Sequence, residues 1–306
     1  MGTPDFGVPV LRSLVDSTYD VVAVYTRPDR PAGRGRQVMP SPVKTAAMAA
    51  GLSVVEPVSL REEASIQQLR TLRPDLVVVA AFAYLLPPDV LSIPSHGCLN
   101  VHPSLLPRYR GPSPVATALL NGDRETGVSI MLMDSGLDTG PILSQERTTI
   151  GADDTTGTLT RTLAEVGSAL LLRTVRDWLD GRVAPQPQLE SEATYSARIS
   201  ARDGRIEWML PAEILARQVR AYSPWPGSYT AWKGLRLKIL GAVPATATAS
   251  EPPGTVVPLP KPDHVGVVTG DGLLALRSVQ LEGKREVTAD EFLRGHRDFP
   301  GAHLGL

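Results

Sequence analysis

Asp75-Leu-Val-Val-Val-Ala-Ala81 holds one charge at its start and nothing polar after it. A short, valine-rich, uninterrupted apolar run suits a strand covered on both faces, as strands of a parallel sheet are. Asp20-Val-Val-Ala-Val-Tyr-Thr26 has the same make-up. Between them, Ser59-Leu-Arg-Glu62 has the spacing of a capping box, with a helix expected to follow through about Leu72. Downstream, Gly97–Val101, Gly127–Met133 and Ile142–Thr148 read as further strands. Strands alternating with helices argue for an α/β fold, here a Rossmann-like, mostly parallel sheet with crossover helices.

Leu159, Leu163, Val166, Leu170 and Leu171 then recur at helical spacing, with Gly181 as a stop after Trp178 and Leu179. The tract that follows, 181–193, is polar and contains proline, and reads as a linker. A short helix over Ala212–Tyr222 ends at Ser-Pro-Trp-Pro-Gly. Beyond it Leu235–Leu240, His264–Thr269 and Leu273–Val279 form β-like segments between Gly/Pro stretches. These suggest a small antiparallel barrel or sandwich. The expected division is a larger α/β domain over 1–185, a linker over 186–204 and a smaller β domain over 205–306.

Composition narrows the function classes. Hydrophobic residues make up 42% of the 306 and charged residues 21%, so neither disorder nor a polycation is indicated; the net charge is −1. No apolar run approaches the length needed to cross a bilayer, and no membrane role is expected. The single cysteine, Cys98, leaves no internal disulfide and fits a reducing, cytoplasmic setting. Affinity for nucleic acid must come from local patches. One is the stretch with Arg27, Arg30, Arg34, Arg36 and Lys44, opposed only by Asp29.

The chemistry-bearing residues concentrate between Asn100 and Pro141. Asn100 and His102 stand two apart near the end of an apolar strand, so their side chains point to the same side, and strand ends are where α/β sheets bind ligands. A lone histidine in apolar sequence is usually structural. Its partnership with Asn100, and the proline-stiffened loop that follows, leave structure and function open on spacing alone. Cys98 shares the parity, which allows a Cys/His/Asp nucleophilic site, although its apolar neighbours favour a buried thiol. His102 with Asp134 and Asp138 is a poor metal set, with one histidine and no close ligand spacing, so no metal is expected.

Asn100-Val-His-Pro-Ser-Leu-Leu-Pro-Arg-Tyr-Arg-Gly111, followed by Gly122–Leu143 with Leu137-Asp-Thr-Gly-Pro141, resembles the catalytic signature of the folate-dependent formyltransferases. The resemblance implies transfer of a formyl group from 10-formyltetrahydrofolate to an amine. It implies Asn100, His102 and Asp138 as the catalytic residues, and Ser104, Leu105, Leu106 and Pro107 as the loop that contacts folate. The residue types suit the reaction. An amide N–H and a protonated imidazole can stabilise the oxyanion of a tetrahedral intermediate, and a carboxylate can orient the imidazole and take the amine proton.

Gly2-Thr-Pro-Asp-Phe6 and Thr26–Lys44 resemble the branch of that family acting on methionyl-initiator-tRNA. In that branch the basic loop enters the acceptor end of the tRNA. The resemblance thus implies Arg34 and Arg36, flanked by Arg30 and Lys44, as tRNA contacts; a short charged run taken by itself is commonly a solvated loop. Ile206-Glu-Trp208 and Val219–Gly227 resemble the entry to the family's tRNA-holding β-barrel, which implies a catalytic domain over 1–185 followed by a smaller OB-like β-barrel domain over 205–306. Residues 205–306 carry twelve Lys/Arg against ten Asp/Glu, so tRNA binding there would rest on one face, such as Arg236 and Lys238. An enzyme acting on a small amine such as an amino sugar nucleotide, and a non-catalytic tRNA- or folate-binding module, are the alternatives. A monomer is expected. In the family Gly-Thr-Pro-Asp-Phe follows a first β-strand, whereas here it follows Met1, so the natural chain is expected to start upstream.

Overall fold

The computed structural model describes every residue except 33–36, 83, 248 and 306, with backbone alone over 30–38. In chain order its elements begin with α1 (Gly7–Val15), β1 (Val24–Tyr25), β2 (Arg30–Ala32), β3 (Gln37–Met39) and α2 (Pro42–Ala49). Then come β4 (Val54–Val55), α3 (Glu63–Leu72), β5 (Val77–Val79), α4 (Pro88–Leu91) and β6 (Cys98–His102). Next are α5 (Pro114–Asn121), β7 (Glu125–Leu132), β8 (Ile142–Thr149), α6 (Thr156–Leu179) and α7 (Ala212–Ala221). The chain ends with β9 (Ser228–Trp232), β10 (Leu235–Ala245), β11 (Val256–Pro258), β12 (Val265–Val268), β13 (Leu273–Leu281), β14 (Val287–Thr288) and α8 (Ala289–Gly295).

Two compact units result. One comprises Met1–Pro114, Glu125–Thr149 and Leu159–Ser196; the other comprises Val115–Arg124, Ile150–Thr158 and Ala197–Leu306. The tract expected as a linker over 186–204 is therefore divided, and residues up to Ser196 pack with the first unit. Composition misleads there because the backbone of the tract is paired: Ile142 and Gln186 exchange two hydrogen bonds of 2.8 Å.

In the first unit β1 pairs β4 in parallel, and β5 pairs β6 in parallel. β7 and β8 extend the second group antiparallel, in the order β5-β6-β7-β8, because the loop after β7 turns straight back into β8. Val77, Val79 and Cys98 from the strands pack with Ile66, Leu69, Phe82 and Val90 in one apolar core. Gly2 lies between β1 and β5, donating to Tyr25 O at 2.9 Å and bridging Ala80 in parallel. A cavity of about 320 Å³ continues along these strand edges, lined by Leu14, Val22, Val24, Leu76 and Val78 among others. The Ser59–Glu62 capping box does not form. Glu62 is itself the N-cap of α3, without a side-chain cap bond, and Ser59 Oγ accepts from Arg61 N at 3.1 Å in a local turn.

The second unit is an all-antiparallel sheet in the order β11-β12-β13-β10-β9, with β14 beside β13. The register of β10 against β13 shifts on both sides of Gly241. Such a bulge bends its strand and strengthens twist, which curls the sheet into a half-barrel. Leu237, Ile239, Val267, Leu274 and Leu276 fill its inside with Trp232, Phe292 and Phe299. Leu235, at the start of β10, is 44% exposed, although strand alternation puts it on the same face as the buried Leu237 and Ile239.

Candidate active site

β6 is central in its sheet and buried at all five positions, so Asn100 and His102 are fixed by a rigid strand and not by a loop. Both side chains reach Asp138, which sits on the loop between β7 and β8. Asn100 Nδ2 donates to Asp138 Oδ1 at 3.2 Å, and His102 Nδ1 lies 3.6 Å from Asp138 Oδ2. Gly111 N donates to the same Oδ2 at 2.8 Å. Asp138 has φ 55°, a left-handed conformation that non-glycine residues rarely adopt. The side chains of His102 and Asp138 are only 5% and 14% exposed, so their mutual field is weakly screened.

The other ring nitrogen, His102 Nε2, lies 3.0 Å from Tyr109 O. A carbonyl oxygen only accepts, so Nε2 carries a proton. Nδ1, beyond hydrogen-bond length from the carboxylate, is left to donate or accept towards a bound group. Asn100 similarly uses one of its two amide N–H groups on Asp138 and retains the second.

The loop after β6 is held from beneath by Ser129 of β7. Its hydroxyl accepts from Leu106 N at 3.0 Å and donates to Ser104 O at 2.7 Å. Gln145 Nε2 of β8 reaches both Leu106 O, at 2.9 Å, and Ser129 Oγ, at 2.8 Å. Ser104 Oγ donates to Arg108 O at 2.6 Å. Leu105 lies over Gly127, where a Cβ would come within 2.5 Å of its side chain. Ser104 and Leu106 are buried and Leu105 and Pro107 half-buried, so the apolar part of the loop shows one edge. A second cavity of about 320 Å³ is lined by Arg61, Ile66, Leu85, Leu86, Pro87, Asp89 and Ser135, the last from the loop that carries Asp138.

Comparison with known proteins decides what family this geometry serves. The formyl transferase model matches residues 1–175, and the model of the formyl transferase C-terminal domain matches residues 198–297. The chain belongs to the formyl transferase family. It is 48% identical over 307 aligned positions to the methionyl-tRNA formyltransferase of Roseiflexus castenholzii, covering 100% of this chain and 97% of that one. The methionyl-tRNA formyltransferase of Xylella fastidiosa is also 48% identical, covering 97% and 96%. Among solved structures, the sugar 3N-formyl transferase WlaRD with dTDP and 5-N-formyl-THF superposes with a TM-score of 0.65 at 18% identity, over 93% of this chain and 97% of that one. The N-formyltransferase from Helicobacter canadensis, with folinic acid and dTDP-3-aminofucose, gives 0.63 at 17%, over 94% and 97%. At those identities the likeness is one of fold.

In this formyl transferase the basic residues are placed unequally. Arg34 and Arg36 lie outside the described residues, and Arg30 is described by its backbone in β2. Lys44, on α2, is taken up internally: its Nζ lies 2.7 Å from both Asp29 Oδ2 and Glu56 Oε2. Those two carboxylates hold its ammonium above the usual lysine range. Arg236 and Lys238 share the face of β10 that meets Tyr229, and the Arg236 guanidinium stacks 4.4 Å from the Tyr229 ring centroid.

Cys98 is 1% exposed, and burial pushes its thiol up to about 12, which removes it as a nucleophile at neutral pH. Asp134 turns from the site, its Oδ1 accepting from Gly136 N at 3.0 Å and Thr139 Oγ1 at 2.7 Å. Sequence reading did not single out Ser129 or Gln145, which brace the loop after β6. Ser129 stands inside the quoted signature, but nothing around Gln145 marks it.

Proposed function

We propose that the enzyme transfers the formyl group of 10-formyltetrahydrofolate to the α-amino group of methionyl-initiator-tRNA, with Asn100, His102 and Asp138 as its catalytic residues. The observation that carries this reading is the 48% identity to methionyl-tRNA formyltransferases along essentially the whole chain, joined to a site whose three polar groups converge. Sugar-modifying neighbours, at 17–18%, share the fold alone.

The donor's fit rests on residue types. The Ser104–Pro107 loop and the cavity walled by Leu85, Leu86 and Pro87 offer apolar surface with Arg61, Asp89 and Ser135 as polar points. Binding sites for flat heterocycles have this composition and size. The folate supplies the formyl group on N10, and the protein supplies orientation, oxyanion donors and a proton acceptor.

As the amine nitrogen bonds to the formyl carbon, the carbonyl oxygen gains negative charge. The remaining Asn100 N–H and a protonated His102 Nδ1 are the donors for it, and removal of one such donor costs roughly 10²–10³ in kcat. Tyr109 O anchors the far side of the ring, so the imidazole meets the charge without first reorganising. Asp138 lies close enough to stabilise the imidazolium and to accept the amine proton through a water. The carbon–N10 bond then breaks, the leaving nitrogen takes up one proton, and the oxyanion returns to a carbonyl.

The tRNA is gripped by Arg30, Arg34 and Arg36 at its acceptor end and by Arg236 and Lys238 on the C-terminal sheet. Lys44, bound by Asp29 and Glu56, supports the base of the basic loop more than it touches phosphate. The domain roles follow: catalysis over 1–185, and tRNA holding over 205–306. The enzyme acts as a cytoplasmic monomer, for which light scattering should return 32.7 kDa. The deciding assay offers 10-formyltetrahydrofolate with methionyl-initiator-tRNA or with an amino sugar nucleotide. Formylation of the sugar in preference to the tRNA would overturn the reading.

A further inference from the structure

Residues 186–196 run against the catalytic loops and are tied to them by backbone. Besides the Ile142–Gln186 pair, Arg110 N donates to Thr194 O at 2.9 Å and Ser196 N to Arg110 O at 2.7 Å. Tyr109 N donates to Thr194 Oγ1 at 2.9 Å, and Ser113 N to Ser196 Oγ at 3.0 Å. These bonds tie the segment to the loops through backbone and hydroxyl groups. The Arg110 guanidinium adds side-chain bonds to these; it is 1% exposed, and burying a charge is costly unless its donors are matched.

Arg110 Nη1 donates to Glu190 Oε2 at 2.8 Å and to Tyr195 OH at 3.1 Å, while Nε donates to Gln188 Oε1 at 3.0 Å. That last bond sets the orientation of the Gln188 amide. With Oε1 turned to Arg110, Nε2 must face the opposite way, and there it donates to Asp138 O at 2.9 Å and Gly140 O at 2.7 Å. Both amide hydrogens are thus spent on the loop carrying Asp138. A left-handed conformation is sterically costly for a non-glycine residue, and it persists where surrounding contacts over-determine it. Gln188 grips the carbonyl of that very residue, and Gly111 N, next to Arg110, grips its carboxylate.

We infer that Arg110 and Gln188 are positioning residues for catalysis. The Arg110 guanidinium orients the Gln188 amide, and the amide locks the left-handed backbone at Asp138 so that its carboxylate faces Asn100 and His102. This rests on the proposed catalytic role of Asp138. It separates Gln188 from a residue that merely packs, because its influence must pass through Asp138.

A double-mutant cycle in the full chain tests it, since residues acting as one unit are non-additive. Gln188→Ala and Gln188→Glu are expected to lower kcat about ten- to hundred-fold, with KM for tRNA and for 10-formyltetrahydrofolate within about threefold. In an Asp138→Ala background, Gln188→Ala should add less than about a twofold loss. Removal of the buried Arg110 charge risks the fold, so Arg110→Lys is the milder second variant, expected to match Gln188→Ala in its kcat loss and in its dependence on Asp138. Multiplicative losses in the double mutant, or a raised KM with wild-type kcat, would overturn the inference. Should Asp138→Ala itself retain wild-type activity, the catalytic assignment fails. A dead Asp138→Ala beside a fully active Gln188→Ala removes only the Arg110–Gln188 relay.

Discussion

Gly140→Ala should disable the enzyme without touching a catalytic side chain. Gly140 closes the loop that bears Asp138: the next residue, Pro141, returns its carbonyl to Leu132 N at 2.9 Å. A Cβ on Gly140 would lie 1.9 Å from Leu132 O and 3.1 Å from the Leu132 carbonyl carbon, both backbone atoms of β7. Ordinary contact begins near 3.4 Å, so one side must withdraw by about 1.5 Å. β7 is paired on both edges, by β6 and β8, and cannot yield, so the loop moves. Asp138 is two residues away, and its 2.8 Å bond from Gly111 N would be stretched beyond hydrogen-bond length. A hydrogen bond to a charged group contributes about 1.5–3 kcal/mol, worth roughly ten- to hundred-fold in rate if lost at the transition state. A displacement of ~1 Å at a reacting group likewise costs about 10². Initial rates of tRNA formylation at saturating substrates should show kcat down by about 10², with both KM values within a few-fold. Gly295→Ala, with nothing within 4 Å of the added carbon, is the control. A Gly140→Ala enzyme with kcat within about threefold of wild type would refute the view that this neck sets the position of Asp138.

Three other perturbations probe separate parts of the molecule. Ser129→Ala removes the hydroxyl shared by Leu106 N, Ser104 O and Gln145. It should cost about 1–3 kcal/mol in a denaturant melt and raise KM for 10-formyltetrahydrofolate more than KM for tRNA; equal effects on both would contradict a folate-facing loop. Cys98→Ala should keep wild-type kcat, and with burial pushing the thiol up to about 12 the native enzyme should resist iodoacetamide at pH 8. Rapid inactivating alkylation would restore cysteine to the mechanism. Neutralising Arg34 and Arg36 together should weaken tRNA binding, spare folate binding and flatten the plot of log Kd against log salt by roughly one to two units. An unchanged slope would take those arginines off the phosphates.

Much of the fold was legible because its strongest signals are local. Valine-rich runs gave the strands at β1 and β5, and the alternation along Leu99–His102 put Asn100 and His102 on one side. Spacing by itself could not join them to Asp138, 36 residues beyond His102 on a loop whose left-handed turn leaves no compositional trace. The Arg110–Gln188 contact was hidden for a related reason. Gln188 lies in a polar, proline-containing tract whose composition is that of a linker, and only the pairing of Ile142 with Gln186 and of Arg110 with Thr194 and Ser196 makes it structural. Lys44 shows the opposite failure. Counted along the chain it joins a basic patch, yet Glu56, twelve residues away, and Asp29 both lie 2.7 Å from its ammonium. Ser59 had the right spacing for a cap, but the helix begins one turn later than that spacing requires.

Asn100, His102 and Asp138 are proposed to act together in formyl transfer to methionyl-initiator-tRNA. Single-turnover formylation with 10-formyltetrahydrofolate, comparing wild type with Asn100→Ala, His102→Ala and Asp138→Ala, tests it most directly. Wild type should yield formyl-methionyl-tRNA, and each variant should slow the chemical step by about 10²-fold or more with tRNA and folate still bound. A wild-type chemical step in His102→Ala or Asp138→Ala would contradict it.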